Sequence, residues 1–220
     1  MVAALQDQEE YKIMLREAIC KKCRRSGVKL FLRGERCFSP KCAMIKKPYP
    51  PGAHGKKRRA ALSEYGSQLA EKQKLRKIYN INEAQLRKYF ESASKSKGVA
   101  TEVLLQELET RIDNVIFRLG FAESRAKARQ IVSHGHILLN DKKIDIPSIH
   151  VKKGDTIKIK KGSFNSPLFN GLVAKLKKFN PPAWLSLEKE NLVSEVLGLP
   201  SKEDIENNVD LQMIVEYYSR

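Results

Sequence analysis

Apolar residues recur every three or four positions along much of the chain, which is the spacing of amphipathic helices. This spacing predicts a short helix over residues 2–19 and a longer one over residues 63–79. Asn82 is expected to cap a further helix, because Ile81 and Leu86 flank it at the spacing of a hydrophobic staple. The first part of the chain is therefore predicted to be mostly helical.

The clearest helical stripe lies between Thr101, which would cap the helix, and Gly120, which would end it. Its members follow one another at steps of four and three: Leu104, Leu108, Ile112, Val115 and Leu119. Ser124 would cap the next helix, which is expected to end near Gly135. The middle of the chain is thus predicted to form two consecutive helices.

Beyond Gly135 the apolar period changes to two, which predicts strands. Residues 136–139 and 143–146 would form a hairpin around an Asn-Asp turn, and residues 156–160 a further strand. A helix is expected over residues 166–179, before a break at two prolines. The segment 211–218 is apolar and aromatic, so it must be buried, either as a helix or as a strand.

A polar connector, Ser92 to Gly98, is the expected domain boundary. The fold class is therefore predicted to be α+β in two parts. A mostly helical N-terminal domain would occupy residues 1–98. A second domain, residues 99–204, would carry a helix–helix–hairpin module at about residues 108–160.

The formal net charge of +17 changes the picture, because a compact chain with 42 Lys or Arg and 25 acids repels itself. Nucleic acid is the most common polyanion that relieves such repulsion. An anionic membrane is the alternative, but no basic amphipathic helix stands alone and no apolar stretch is long enough to span a bilayer. The first residues contain acids and lack the apolar segment of a secretory signal. A cytoplasmic protein is therefore expected.

The charge is spread unevenly. Residues 1–60 hold sixteen Lys or Arg and five acids, a net charge of +11, whereas residues 181–220 carry a net charge of −5. The acidic end is expected to pack on the rest of the chain or to meet a basic protein neighbour, not to face phosphate.

The four cysteines have metal-ligand spacing, as Cys20-x2-Cys23, thirteen residues, and Cys37-x4-Cys42. A hairpin over residues 29–38 would bring the two pairs together. Four thiolates around one Zn²⁺ form a closed structural site without an open position for catalysis. Two disulfides, a redox-active pair and an iron–sulfur cluster are the alternatives.

Two basic regions are candidates for RNA contact. Residues 46–59 contain three prolines, two glycines and no acid, and their aromatic rings could stack on bases. The candidates in and around this region are Arg24, Arg25, Lys46, Lys47, Tyr49, His54, Lys56, Lys57, Arg58, Arg59, Lys72, Lys74 and Arg76. The helix after Ser124 supplies Arg125, Lys127, Arg129, His134 and His136. The alternatives are a solvated basic linker and an ordinary amphipathic helix.

Several separated motifs carry a family resemblance. Leu108 to Phe121, Ser124-Arg125 and Ser133 to His136 closely resemble the RNA-binding module named after small-subunit ribosomal protein S-four. That module also occurs in pseudouridine synthases, tyrosyl-tRNA synthetases and a heat-shock protein. The remaining motifs resemble the S-four family itself, in its zinc-containing bacterial form: Cys20 to Ala43, Lys47 to Gly52, Glu71 to Arg76, Trp184 to Leu187 and Val215 to Arg220. Residues 1–19 lack the Arg-Tyr-x-Gly-Pro segment with which family members usually begin.

The resemblance implies a structural constituent of the small ribosomal subunit, not an enzyme. It implies binding to the 5′ domain of the small-subunit ribosomal RNA, nucleation of the subunit body, and an effect on translational accuracy through ribosomal protein S-five. It also implies a position near the mRNA entry path and a tail, residues 205–220, that closes the first domain.

Two rivals differ in kind. A pseudouridine synthase-like RNA-modifying enzyme would use Arg111-Ile-Asp113 as its catalytic segment, but the glycine-rich continuation is missing. A zinc-ribbon regulator would prefer duplex DNA to structured RNA.

Overall fold

The computed structural model of the chain describes residues 18–57, 60–164, 166–177, 179–201 and 209–220. The helix predicted over residues 2–19 lies outside these ranges except for its last two residues, which are helical. Arg58 and Arg59 also lie outside them.

The described residues of the N-terminal part contain five helices. They are α1 over residues 18–26, α2 over Ala43–Lys46, α3 over Glu64–Tyr79, α4 over Glu83–Lys95 and α5 over Ala100–Glu109. A single 3-10 turn, Gly34–Cys37, lies between α1 and α2. The two helices predicted from residue 63 onwards are therefore confirmed, with their ends within a few residues of the prediction.

The caps of α3 and α4 explain why these helices begin where they do. The Ser63 hydroxyl accepts the Gly66 backbone N–H, and Asn82 forms a complete capping box with Gln85. Ile81 and Leu86, the predicted staple, are both buried.

The hairpin predicted over residues 29–38 is wrong, since residues 18–57 contain no strand. Phe31 and Gly34 both have positive φ, at 50° and 57°, so the backbone turns too tightly for a pair of strands. The Arg33 backbone N–H, which a ladder would need, donates instead to the Cys37 sulfur at 3.4 Å.

The single long helix predicted from Thr101 to Leu119 is also wrong, because the chain forms two helices there. Helix α5 ends at Glu109, and α6 covers Ile112–Arg118. Arg111 adopts an extended backbone and pairs as a β-bridge with His150. This long-range pairing interrupts a stripe that is continuous in sequence. Val99, not Thr101, precedes the first helical turn.

The following elements agree with the prediction. Gly120, with φ of 76°, ends α6, and Ser124 caps α7 over Arg125–Ser133. Strands β1, Ile137–Leu139, and β2, Lys142–Ile144, form the expected hairpin, whose turn residues both have positive φ. Strand β3 covers Thr156–Ile159.

The region after β3 departs from the prediction. In place of one helix over residues 166–179 there is a 3-10 turn, Pro167–Phe169, and a short helix α8, Leu172–Lys177. Gly171, with φ of 71°, separates them. Two strands that the sequence reading did not specify, β4 over Leu185–Glu188 and β5 over Val193–Val196, complete an antiparallel sheet in the order β2-β1-β3-β5-β4.

Two hydrophobic clusters form the core. One contains α6, α7, α8 and the inner face of the sheet, and the other contains the N-terminal helices. Leu104 and Leu108 of α5 belong to the N-terminal cluster. Helix α5 therefore packs with the N-terminal helices, whereas a boundary at residue 98 would assign it to the second domain.

The C-terminal segment is helical. Helix α9, Leu211–Tyr218, packs against α3 and buries Ile214 in the N-terminal cluster. The Tyr218 hydroxyl donates to Glu83 at 2.8 Å. This packing decides between the helix and strand alternatives for residues 211–218 and places that segment against the N-terminal helices.

Candidate nucleic-acid interface

The four cysteines line one small cavity of about 20 Å³. Cys20 and Cys23 lie on α1, Cys37 ends the 3-10 turn, and Cys42 precedes α2. Arg33 contacts two of them, because its backbone N–H donates to the Cys37 sulfur at 3.4 Å and its guanidinium to the Cys20 sulfur at 3.6 Å. The fold thus brings the two predicted pairs of metal ligands to one place without a hairpin.

All four cysteines are free thiols. Burial raises the pKa of Cys23 and of Cys37, and the neighbouring cysteines raise both further. Within the described ranges, no group of three or more His, Cys, Asp or Glu side chains is arranged to hold a metal ion. The zinc site therefore stays a prediction.

The loop over residues 47–57, here called the basic loop, has the irregular structure that its prolines predict. Arg24 fastens its first residues, since its guanidinium donates to the carbonyl oxygens of Lys47, Tyr49 and Pro50 at 3.1, 2.8 and 3.2 Å. The Tyr49 ring lies 4.9 Å from this guanidinium and 5.5 Å from the Lys56 ammonium. Arg24 and Tyr49 are thus engaged within the protein.

The other predicted residues of this region face solvent. Arg25, Lys46, Lys47, His54, Lys56 and Lys57 are all exposed. They form the largest group of predicted contacts that the fold leaves accessible to a large polyanion.

The basic run of α3 is directed into the protein. Lys72 is buried, pairs with Glu83 at 2.8 Å, and lies 4.2 Å from the centre of the Tyr217 ring. Arg76 pairs with the same carboxylate at 2.8 Å, and Lys74 pairs with Glu71 at 2.5 Å. Lys72 and Arg76 thus hold α3 to α4, and Lys72 also contacts α9, whereas the Lys74 pair lies within α3 itself. The run does not form a free basic face.

The arginines of α7 face the N-terminal helices. Arg125 lies between the rings of Tyr79 and Phe117, at 4.7 and 4.6 Å from their centres, and donates to Asn114 at 2.7 Å. Arg129 donates to the Asn80 carbonyl. Both side chains therefore connect the two hydrophobic clusters.

The remaining candidates of this region differ from one another. Lys127 lies 3.6 Å from Glu123 and is partly exposed, and His134 is exposed. His136 shares a hydrogen bond of 2.9 Å with Ser163. Burial lowers the pKa of His136, and so does the charge of His134. The surroundings of His136 within the protein therefore disfavour a positive charge on its ring.

Comparison with known proteins agrees with this architecture. A family model described as the ribosomal protein S4/S9 N-terminal domain matches residues 14–109, and a model of the S4 domain matches residues 110–157. The chain is 52% identical over 202 residues to the small ribosomal subunit protein uS4 of Heliobacterium modesticaldum, which covers 92% of this chain and 97% of that protein. The corresponding protein of Thermus thermophilus is 50% identical over 202 residues, with the same coverage.

The chain belongs to the uS4 family of small-subunit ribosomal proteins. This confirms the resemblance to the family, although not to its zinc-containing form, and it confirms the prediction that the chain is not an enzyme. Within the described residues, no helix is long and apolar enough to cross a membrane.

The geometry of Asp113 also gives no support to the RNA-modifying alternative. In this uS4 family member the Asp113 carboxylate is buried and accepts two hydrogen bonds from Arg111, at 3.1 and 2.8 Å. The Arg111 side chain is itself buried and donates to the Tyr89 hydroxyl. A carboxylate so enclosed and neutralised cannot approach a base of an RNA substrate.

The sequence reading missed basic residues beside the cysteines. Arg33, Arg36 and Lys41 were not among the predicted contacts, although they line the same surface as Lys46 and Lys47. A signal was present in the sequence, since residues 36–63 contain no acid at all. The sequence pattern also did not indicate that the Glu109 carboxylate would be buried, because Glu109 lies within an apolar helical stripe.

Proposed function

We propose that this chain is a primary ribosomal RNA-binding protein of the small ribosomal subunit in the cytoplasm, where it helps to nucleate the subunit body. One observation carries the proposal: the match to uS4 proteins runs over 92% of the chain at 52% identity. The RNA-binding role follows from family membership together with the exposed cations of the basic loop.

The proposed mechanism is binding by charge and shape. The net charge of +17 and the exposed Lys and Arg side chains around the basic loop favour contact with phosphates. When these side chains neutralise phosphates, the counterions bound to the RNA are released. Lys72 and Arg76 pair with Glu83, and Arg125 donates a hydrogen bond to Asn114. These three residues therefore stabilise the fold, and fewer cations are available to RNA than the sequence suggests.

Filter binding to deproteinised small-subunit ribosomal RNA tests the proposal. We expect tight binding to the RNA, with an association constant whose logarithm falls linearly with the logarithm of the salt concentration. Binding to duplex DNA of the same length should be weaker. Equal affinity for both nucleic acids, or no binding to the ribosomal RNA at moderate salt, would reject the function.

We propose further that Cys20, Cys23, Cys37 and Cys42 hold one structural Zn²⁺. The chemistry of the donor set supports this, because four free thiols line one cavity and sulfur is a preferred ligand of zinc. The metal would stabilise the short segment between α1 and α2, which has little apolar core of its own. We expect one zinc per chain by elemental analysis, and loss of far-UV circular dichroism and of RNA affinity on chelation. A chelated protein with unchanged dichroism would rule the site out.

Contacts with ribosomal protein S-five and with mRNA near the entry path are proposals that rest on the family alone. Cross-linking within assembled small subunits, read out by mass spectrometry for S-five and by sequencing for mRNA, tests each separately. Family membership supports them, and cross-links to other neighbours only would reject them.

A further inference from the structure

A strongly basic pocket lies beside the cysteines. Its volume is about 200 Å³, and seven of its nine lining residues are Lys or Arg, with no acid among them. Three separate segments supply its walls: helix α1, residues 33–36 around the 3-10 turn, and residues 41–47, which include α2. The whole pocket lies within residues 18–57, which contain a single acid, Glu35. Lys175 of α8 pairs with the Glu35 carboxylate at 2.7 Å.

Five of the cations have no partner among the described residues. No described residue forms a hydrogen bond or an ion pair with the side chains of Lys21, Arg36, Lys41, Lys46 and Lys47, and all five are exposed. Like charges gathered in one concave surface repel one another, and a bound anion relieves this repulsion.

The remaining two cations are held in place. Arg24 is fixed by three carbonyl oxygens, and the guanidinium of Arg33 by the Cys20 sulfur. A guanidinium has five N–H donors, so both retain donors for a ligand while their orientation is already set. Such a pair of pre-positioned arginines suits the tetrahedral oxygens of a phosphate group.

We propose that this pocket, lined by Lys21, Arg24, Arg33, Arg36, Lys41, Lys46 and Lys47, binds a phosphodiester of the RNA backbone. The proposal rests on the RNA-binding function given above and assigns it a specific subsite. The basic loop begins at the rim of the pocket, at Lys47, so one RNA strand can contact both.

The test compares two double variants of the full chain that lose the same charge. Arg36→Gln with Lys41→Gln removes two unpaired cations of the pocket. Lys95→Gln with Lys97→Gln removes two exposed lysines at the end of α4 and serves as the matched control. Lys46→Gln with Lys47→Gln is a second pocket pair, for use if the first does not fold.

Filter binding to small-subunit ribosomal RNA is measured over a range of potassium chloride concentrations. For the pocket variants we expect the slope of log affinity against log salt to become shallower by about 1.4–1.8, because two phosphate contacts are lost. The control slope should stay within about 0.3 of the wild-type value. Equal slopes for pocket and control variants overturn the pocket assignment but leave the function intact, whereas a wild-type chain that does not bind the RNA rejects the function itself.

Inorganic phosphate distinguishes a free ion from the RNA backbone. The NMR signals of the arginine side chains are followed while phosphate or ribosomal RNA is added. Shifts of the Arg33 and Arg36 signals with RNA support the proposal. Shifts with phosphate, combined with an RNA salt slope that the variants leave unchanged, would identify the occupant as a free anion and overturn it.

Discussion

Glu109 and Arg118 form a buried two-point ion pair. The Nε and NH2 groups of Arg118 donate to the Glu109 carboxylate at 2.9 and 2.8 Å, and the Glu109 side chain has no exposed surface. Asn114 donates to the same carboxylate at 2.7 Å, and so does the Tyr79 hydroxyl at 2.5 Å. One carboxylate therefore connects α3 and α5 of the N-terminal cluster to α6 of the cluster that contains the sheet.

Loss of this carboxylate should destabilise the whole chain. We expect Glu109→Gln to lower the free energy of unfolding by about 3–5 kcal/mol, because the partly buried guanidinium of Arg118 loses its counter-charge. Urea denaturation followed by circular dichroism measures the change. The exposed pair of Arg87 and Glu91 provides the control, since Glu91→Gln should cost at most about 1 kcal/mol. Similar losses for the two variants would contradict the importance of the buried pair.

Acid should weaken the fold through the same residue. Burial by itself would raise the pKa of Glu109, but hydrogen bonding and charge from Arg118, with Arg125 nearby, lower it below the ordinary 4.5. Because the folded-state pKa is the lower one, the stabilisation is fully present above about pH 4.5 and is lost as the pH falls through the folded-state value. The stability difference between wild type and Glu109→Gln should therefore shrink between about pH 5 and about pH 2. A difference that is constant with pH would argue against an ionised Glu109.

Arg125 and Arg25 should separate folding from RNA binding. Arg125 lies between two aromatic rings, so Arg125→Gln should lower stability by about 2–4 kcal/mol and leave the salt slope of RNA binding unchanged. Arg25 is exposed, so Arg25→Gln should change stability by less than about 0.5 kcal/mol but make the slope shallower by about 0.7–0.9. Denaturation and filter binding on both variants check this, and the reverse pattern would show that Arg125 contacts RNA directly.

Gly34 should tolerate no side chain. Its φ is 57°, and a Cβ there would lie 2.6 Å from the backbone oxygen of Glu123, just before α7. Gly27 also has positive φ, 72°, but a Cβ there meets nothing within 4 Å. We expect Gly27→Ala to cost about 1–2 kcal/mol, from backbone strain alone, and Gly34→Ala at least twice as much. Thermal denaturation of the pair measures the difference, and equal costs would exclude a close approach at Gly34.

The elements that the sequence predicted well depend on neighbouring residues. The caps at Asn82 and Ser124, the stop at Gly120, and the hairpin turn after β1 all involve groups a few positions apart. The family and the spacing of the cysteines were likewise readable without a structure. The excess of positive charge, which indicated a polyanionic partner, is a property of composition and also needs no structure.

The elements that it predicted wrongly depend on distant residues. The helical stripe through Leu108 and Ile112 is continuous in sequence, but the bridge between Arg111 and His150 interrupts it. Periodicity cannot show such a pairing, because the partner lies about forty residues away. The strands β4 and β5 were not specified for a similar reason, since each is short and exists by pairing with a neighbour.

The charge, the local caps and turns, the set of cysteines and the family can all be read from the amino-acid sequence. Which cations are available to RNA depends on the fold, because the charge of a side chain is a local property whereas its partner can come from a distant segment. The sequence predicts Lys72, Arg76 and Arg125 as phosphate ligands. In the folded protein Lys72 and Arg76 pair with an acid, and Arg125 lies against an aromatic ring. Arg36 and Lys41 became candidates only when three segments met around one pocket.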